Sequence, residues 1–205
     1  SMRNVAAVGA TPHALSDCLC FGNPEKPHQM WEFVESVRGV ADACHTITSK
    51  DNPNDATPII AGNVSFYNES KNGLIPPSPI VSCLGRLKDV NKTVPAHFQN
   101  NGSVILLIGE RKNELGGSVY YSLKNELGAN VPKPNLEEVK NQIFALTDCI
   151  DDGLVLSCHD IADGGIASAL AEMTFRNNIG CNVNIESDLS PDKILFSETG
   201  GFILE

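Results

Sequence analysis

The segment Asp17-Cys-Leu-Cys-Phe-Gly-Asn-Pro-Glu-Lys-Pro27 constrains the fold of this chain more than any other. An apolar run ends in Gly-Asn-Pro, which a central strand does not tolerate, and Pro27 then stands where a helix accepts proline. Behind it Met30, Phe33, Val34, Val37, Val40, Ala41 and Cys44 recur at helical spacing and predict one apolar face. A second segment, Gly62-Asn-Val-Ser-Phe-Tyr-Asn-Glu69, follows an expected short strand at 57–61 and opens into a polar loop. Each segment thus places polar groups at the end of a rigid strand, which is where α/β proteins position ligand-binding groups.

The remaining chain continues this alternation. A helix ends over 3–9 with Gly9 as its stop, and a strand is expected over 13–19. Residues 50–57 and 67–79 read as loops, with a strand at 80–84. The pattern turns polar and irregular over 85–101, which marks a boundary between a first domain at 1–88, a linker at 89–100 and a second domain at 101–205. Strands are expected at 103–109, 154–157, 181–185 and 201–204. Leu136, Val139, Ile143, Leu146 and Ile150 mark one helix, and Ile166, Ala169, Leu170 and Met173 another. The class is α/β, of the α+β type, without internal repeats.

Composition narrows the partners. The net charge of -10 and pI near 4.9 oppose nonspecific binding to nucleic acid or anionic membranes, since both require a basic face. A hydrophobic fraction of 41% and mean hydropathy of -0.10 fit a soluble globular protein, and the longest apolar run, 104–108, is far too short to span a bilayer. Seven cysteines without a disulfide-scaffold rhythm read as reduced thiols in a cytoplasmic protein. No signal peptide is visible, and Ser1 ahead of Met2 marks the chain as a piece of something longer.

Four residues carry candidate chemistry. Asp17 offers a carboxylate to a nucleotide or cation, or else an Asx turn ahead of Asn23-Pro24. Gly62 permits close backbone approach, Asn63 a neutral oxygen for a hard cation, and Ser65 a hydroxyl; in an extended segment the latter two share a face. The bland alternative is a strand end with a turn-forming asparagine. Carboxylate, amide and hydroxyl groups with scarcely a cation beside them point to a magnesium-nucleotide site, where the metal offsets phosphate charge. Glu114-Leu-Gly-Gly-Ser118 lacks a P-loop lysine and reads as a glycine turn with a serine cap. Cys158, His159 and Asp160 are strand neighbours on alternating faces, which opposes a nucleophile–base pair. Asp163-Gly-Gly165 reads instead as the start of a helix packed closely on a sheet. Cys18, Cys20, Cys44 and His45 make a poor zinc set, because Cys44 lies on the helix stripe and no CxxC pair exists.

Taken together, Arg3 to Pro12, Asp17 to Pro27, Trp31 with Val37 to Cys44, Gly62 to Glu69, Glu114 to Ser118 and His159 to Met173 resemble phosphoribosylformylglycinamidine synthase. That enzyme is the purine-biosynthesis member of the aminoimidazole ribonucleotide synthetase superfamily. The likeness runs in order along essentially the whole chain. It implies a truncated ATP-binding-type domain followed by a carboxy-terminal-type domain, from the second of two tandem halves. It further implies that Asp17 and Gly62 contact ATP, Asn63 coordinates magnesium, and Ser65 touches formylglycinamide ribonucleotide. Implied partners are the first half of the same enzyme and a glutaminase subunit or domain supplying ammonia. His159 and Glu198-Thr199-Gly200 match substrate-binding positions of the other half, but here fall in the pseudo-symmetric site and receive no catalytic role. Cys20 departs from the family string, which usually has asparagine there, and 50–56 looks like an insertion. The implied chain is an ATP-dependent ligase fragment, inactive alone; a non-catalytic assembly half and a related synthetase or kinase are the competing readings.

Overall fold

The computed structural model describes residues 1–205, which divide into two compact units: 1–5 with 11–86, and 6–10 with 87–205. Helix α1 (Met2–Ala7) stops at Gly9, whose φ of 94° favours glycine. A side chain there would also press to 2.9 Å from Ile150.

The first unit contains β1 (Thr11–Cys20), α2 (Pro27–Thr46), β2 (Ile59–Ser65), the two-residue strands β3 (Glu69–Ser70) and β4 (Gly73–Leu74), and β5 (Ser78–Arg86). β1 lies between β2, parallel to it, and β5, antiparallel to it. The parallel pair demands a crossover, and α2 supplies it, with Pro27 in its first turn. The helix ends against the returning chain. Thr57 N–H donates to Cys44 O at 2.9 Å, and the buried Thr57 hydroxyl donates to Ile47 O at 2.6 Å, satisfying carbonyls that a helix terminus leaves open. Leu15 and Leu19 on β1 are buried, as is Cys44 on α2, yet much of the expected α2 stripe is not. Met30, Val34 and Val37 are exposed, so the periodicity located the helix but not the extent of its cover.

β2 corrects the expected strand at 57–61. The ladder with β1 continues through Asp17–Gly62, Cys18–Asn63 and Cys20–Ser65, so the polar residues belong to the strand and not to a corner beyond it. Residues 67–79 are likewise not all loop, because β3 and β4 form a small hairpin within them.

The second unit has a 3₁₀ turn (Val90–Lys92), β6 (Leu106–Ile108), α3 (Val119–Ser122), α4 (Leu136–Asp151), β7 (Cys158–Asp160), α5 (Gly165–Met173), α6 (Pro191–Phe196) and β8 (Phe202–Leu204). β8 is central, antiparallel to both β6 and β7, and fully buried. Phe98, Ile161, Ile166, Ala169, Leu170, Met173 and Ile203 form the core against which α5 lies. Asn135 caps α4, accepting from Glu138 N–H at 3.3 Å, and Glu137 and Glu138 suit the positive end of the helix.

Three expectations shift here. The strand expected at 103–109 pairs only over Leu106–Ile108. The one expected at 154–157 begins instead at Cys158, because the ladder with β8 begins there. Residues 181–185 form no strand, since no neighbour pairs with them; Ile185 merely packs against the core. The short helices α3 and α6 lack enough turns to show periodicity and were not anticipated.

Glu205 ties the end of β8 into its surroundings. Its carboxylate accepts from Gln99 N–H at 2.6 Å, Asn100 N–H at 2.8 Å and the Ser157 hydroxyl at 2.8 Å. Burial alone would push its pKa up, but these donors, with the Ser103 hydroxyl, outweigh burial and hold it below the usual carboxylate range.

Two expectations for stability follow. Thr57→Val leaves the Ile47 carbonyl without its buried donor and costs about 1–3 kcal/mol in urea unfolding, while Thr57→Ser retains most of the stability. A depressed folded pKa means that Glu205 contributes stability above its unfolded value of about 4.3, lost as pH falls through the lower folded value. Acid titration followed by circular dichroism should therefore show a shallower acid limb in Glu205→Gln than in the parent chain.

Candidate functional site

The four sequence-derived residues all lie on β1 and β2, but the register divides them between two faces. Asp17 is paired with Gly62, and both project to the side that carries Leu15, Leu19 and α2. A methyl group on Gly62 would stand 3.0 Å from Asp17 Cγ, closer than real side chains come, so glycine here makes room for the carboxylate. The same side holds Cys44 of α2, whose thiol is pushed up by burial and further by the Asp17 charge. Asn63 and Ser65 project from the opposite face, beside their register partners Cys18 and Cys20. That face lacks a helical cover: Asn63 is exposed, and Ile80 of β5, aligned with Cys18, is 57% exposed. The sheet therefore presents a carboxylate–glycine pair on one side and an amide–hydroxyl strip on the other.

Past the strand ends, the two polar segments are sewn together by Asn68, a residue in the second string that had no role assigned from sequence. Its side-chain amide donates to Phe21 O and Ser65 O, each at 2.9 Å, and approaches the Ser65 hydroxyl at 3.1 Å. Tyr67 N–H donates to Gly22 O at 2.9 Å, with Tyr67 in the left-handed region at φ 58°. The sequence signal for this turn is faint: an asparagine three residues beyond a strand-end serine. Phe21 is buried beneath, meeting the Phe33 ring edge-on at 5.3 Å, and Phe33 meets Phe66 at 5.0 Å. At the rim, the Tyr67 hydroxyl donates to Glu25 at 3.2 Å and Lys26 pairs with Glu69 at 3.3 Å. The Glu25 charge, with burial and the hydrogen bond adding to it, raises the Tyr67 pKa.

The other motifs resolve as scaffolding. The N–H groups of Gly116 and Gly117 donate to Asn130 O and Leu127 O, and Ser118 caps α3 by accepting from Tyr121 N–H at 3.2 Å. The glycine pair is thus a turn with a serine cap, with its amide donors occupied within the protein. Glu198 Oε1 accepts from Gly164 and Val119 N–H, each at 2.9 Å, at the starts of α5 and α3. The Thr199 hydroxyl donates to Glu114 at 2.8 Å, and Arg111 donates to Thr199 O and Gly200 O. Cys158 is buried, which pushes its thiol up to about 12 with help from the Asp160 charge, as befits an inert packing residue. His159 meets Glu172 at 2.9 Å.

No group of three or more His, Cys, Asp or Glu side chains gathers as a metal cage. Magnesium does not require one: it takes one or two protein oxygens and completes its shell with phosphates and water. Asn63 fits that limited role, as an exposed, hard, neutral oxygen on an open strand face.

Comparison with known proteins agrees with this architecture. Residues 1–87 match the N-terminal domain of AIR synthase related protein, and 100–205 its C-terminal domain. The phosphoribosylformylglycinamidine synthase subunit PurL of Methanothrix thermoacetophila is 45% identical over the whole chain, which spans 27% of that relative. The solved T. maritima PurL complexed with FGAR superposes with a TM-score of 0.70 at 19% identity, covering 99% of this chain and 32% of that one. The T. maritima PurL complexed with ATP superposes at 0.63 and 20% identity, covering 99% and 30%. The chain therefore spans about a quarter of the length of the curated relative it matches, and it belongs to the AIR synthase related protein family, with both of that family's α/β domains present.

Proposed function

We propose that this chain is part of an ATP-dependent carbon–nitrogen ligase of purine synthesis, acting on formylglycinamide ribonucleotide. The observation that carries the reading is the pair of matched strands: Asp17 beside Gly62 on one face, Asn63 beside Ser65 on the other, locked in register by Asn68. Likeness to PurL proteins solved with FGAR and with ATP supports the substrates.

In the proposed reaction the γ-phosphoryl group of ATP passes to the amide oxygen of the substrate. Ammonia, supplied by a glutaminase partner, then adds to the same carbon, and inorganic phosphate departs with that oxygen to leave the amidine. Such chemistry needs positioning and charge compensation more than covalent help from the protein. Asp17 accepts a hydrogen bond from the nucleotide, and Gly62 leaves the backbone open beside it. Asn63 donates an oxygen to magnesium, which supplies charge neutralisation at the phosphates when bound, and Ser65 orients the acceptor ribonucleotide. Lys26, the single Lys or Arg within 17–27, pairs with Glu69, and 62–69 has none, so little protein cation is free for phosphate.

A second reading, that the chain is a nucleotide-holding or assembly half, draws on the apolar surface of its first unit. Trp31 is 60% exposed, Ile60 61% and Leu84 55%, more apolar area than a sheet–helix layer leaves open without a partner. The two readings separate in the enzyme that contains this chain. Under the ligase reading Asn63→Ala and Ser65→Ala each lower amidine synthesis about tenfold or more at saturating ammonia, whereas under the assembly reading turnover survives and the quaternary state changes. Gly62→Ala, which drives a methyl group at the Asp17 carboxylate, raises KM for ATP more than it lowers kcat. The 205 residues alone, given ATP, magnesium and ammonia, make no amidine, and detection of product would refute the fragment reading.

A further inference from the structure

Cys18 and Cys20 stand two residues apart on β1, on the face that also carries Asn63 and Ser65. Their sulfurs are 3.5 Å apart and share a thiol hydrogen bond, and neither residue is fully buried. Two thiolates bound to one tetrahedral zinc-like ion, at about 2.3 Å each, lie about 3.8 Å from one another. A disulfide, by contrast, needs its sulfurs at about 2.05 Å, which would draw two same-strand residues together and pull β1 out of both ladders. The strand as it stands is thus shaped for chelation and not for oxidation.

We propose that Cys18 and Cys20 form a bidentate site for a thiophilic d¹⁰ divalent cation on the open face of the first unit. Binding converts two thiols to thiolates, forms two metal–sulfur bonds and releases two protons to solvent; water completes the coordination shell. Thiolate ligands select such ions over magnesium and calcium, so the site is chemically distinct from the hard-oxygen strip beside it. Cys44 takes no part, because it lies on the α2 side of the sheet with Asp17. Cys83 aligns with Leu15, on that same side.

The test is a cadmium titration of the chain in a thiol-free reductant, read by the ultraviolet thiolate-to-cadmium charge-transfer band. A band saturating at one ion per chain is expected. Cys18→Ala or Cys20→Ser should weaken the affinity about tenfold or more through loss of the second donor, while Cys83→Ser and Cys181→Ser leave it unchanged. Should the β1 variants unfold, alkylation of the parent chain decides: the tryptic peptide 4–38 holds these two cysteines and no other, and cadmium should protect both together. A band that persists in the double variant Cys18→Ala/Cys20→Ser, or alkylation of the peptide that ignores the metal, overturns the proposal.

Discussion

Hydrogen bonding along both edges of β1 is the constraint from which the first unit is built. One edge is taken in parallel by β2 and the other antiparallel by β5, so β1 cannot slip without breaking two ladders. A shift of a single residue would carry Leu15 and Leu19 out of the α2 side and put Asp17 where Cys18 now stands. Burial of two leucines thus holds a carboxylate, an amide and a hydroxyl in their places. The Gly62 position follows from the same register, because only a residue without a side chain can sit across from the Asp17 carboxylate. Packing and candidate chemistry are here one arrangement.

The sequence made the elements more legible than their edges. Pro27, the spaced apolar residues behind it, and the Gly9 and Gly153 stops are local signals, read from sterics and periodicity, and the helices α1, α2 and α4 lie where those signals put them. Strand limits are set by pairing, which is not local. Residues 57–61 looked like a complete strand because Gly62 and Asn63 are poor strand formers, but β1 offers them a partner and the ladder runs on to Ser65. Residues 181–185 have the composition of a strand and no partner, and so are not one. In the site, pattern alone revealed that Asn63 and Ser65 share a face. It could not reveal that Asp17 and Gly62 occupy the other, since that depends on which strand β1 pairs with and in what register. Asn68 was hidden for a similar reason: its acceptors are Phe21 O and Ser65 O, one of them distant in sequence.

In the second unit, buried carboxylates act as organisers of backbone. Glu198 joins the N-terminal ends of two helices and Glu205 gathers two amides and a hydroxyl, each replacing water with donors fixed by the fold. These acceptors consume the helix-start and loop N–H groups that would otherwise bind an anion. The glycine pair at 116–117 is committed in the same manner. Motifs that look phosphate-binding on paper are therefore structural in this chain, and the capacity to receive a phosphorylated ligand concentrates in the first unit.

That concentration comes with a shortage of positive charge. A nucleotide triphosphate approaching β1 and β2 meets Asp17, Asn63 and Ser65, but the nearest lysine in either polar segment is paired with Glu69. The whole chain carries a charge of -10, so its field opposes the approach of an anion instead of steering it in. Neutral oxygens tolerate phosphate only when a cation stands between them, because an amide oxygen and a phosphate oxygen repel as two acceptors do. The composition of this face is therefore that of a surface that receives a metal-bound nucleotide and not a bare one. Replacing Asn63 by a cation would add attraction for the phosphates while removing the oxygen that holds the metal, which is why basic residues are not a substitute at this position.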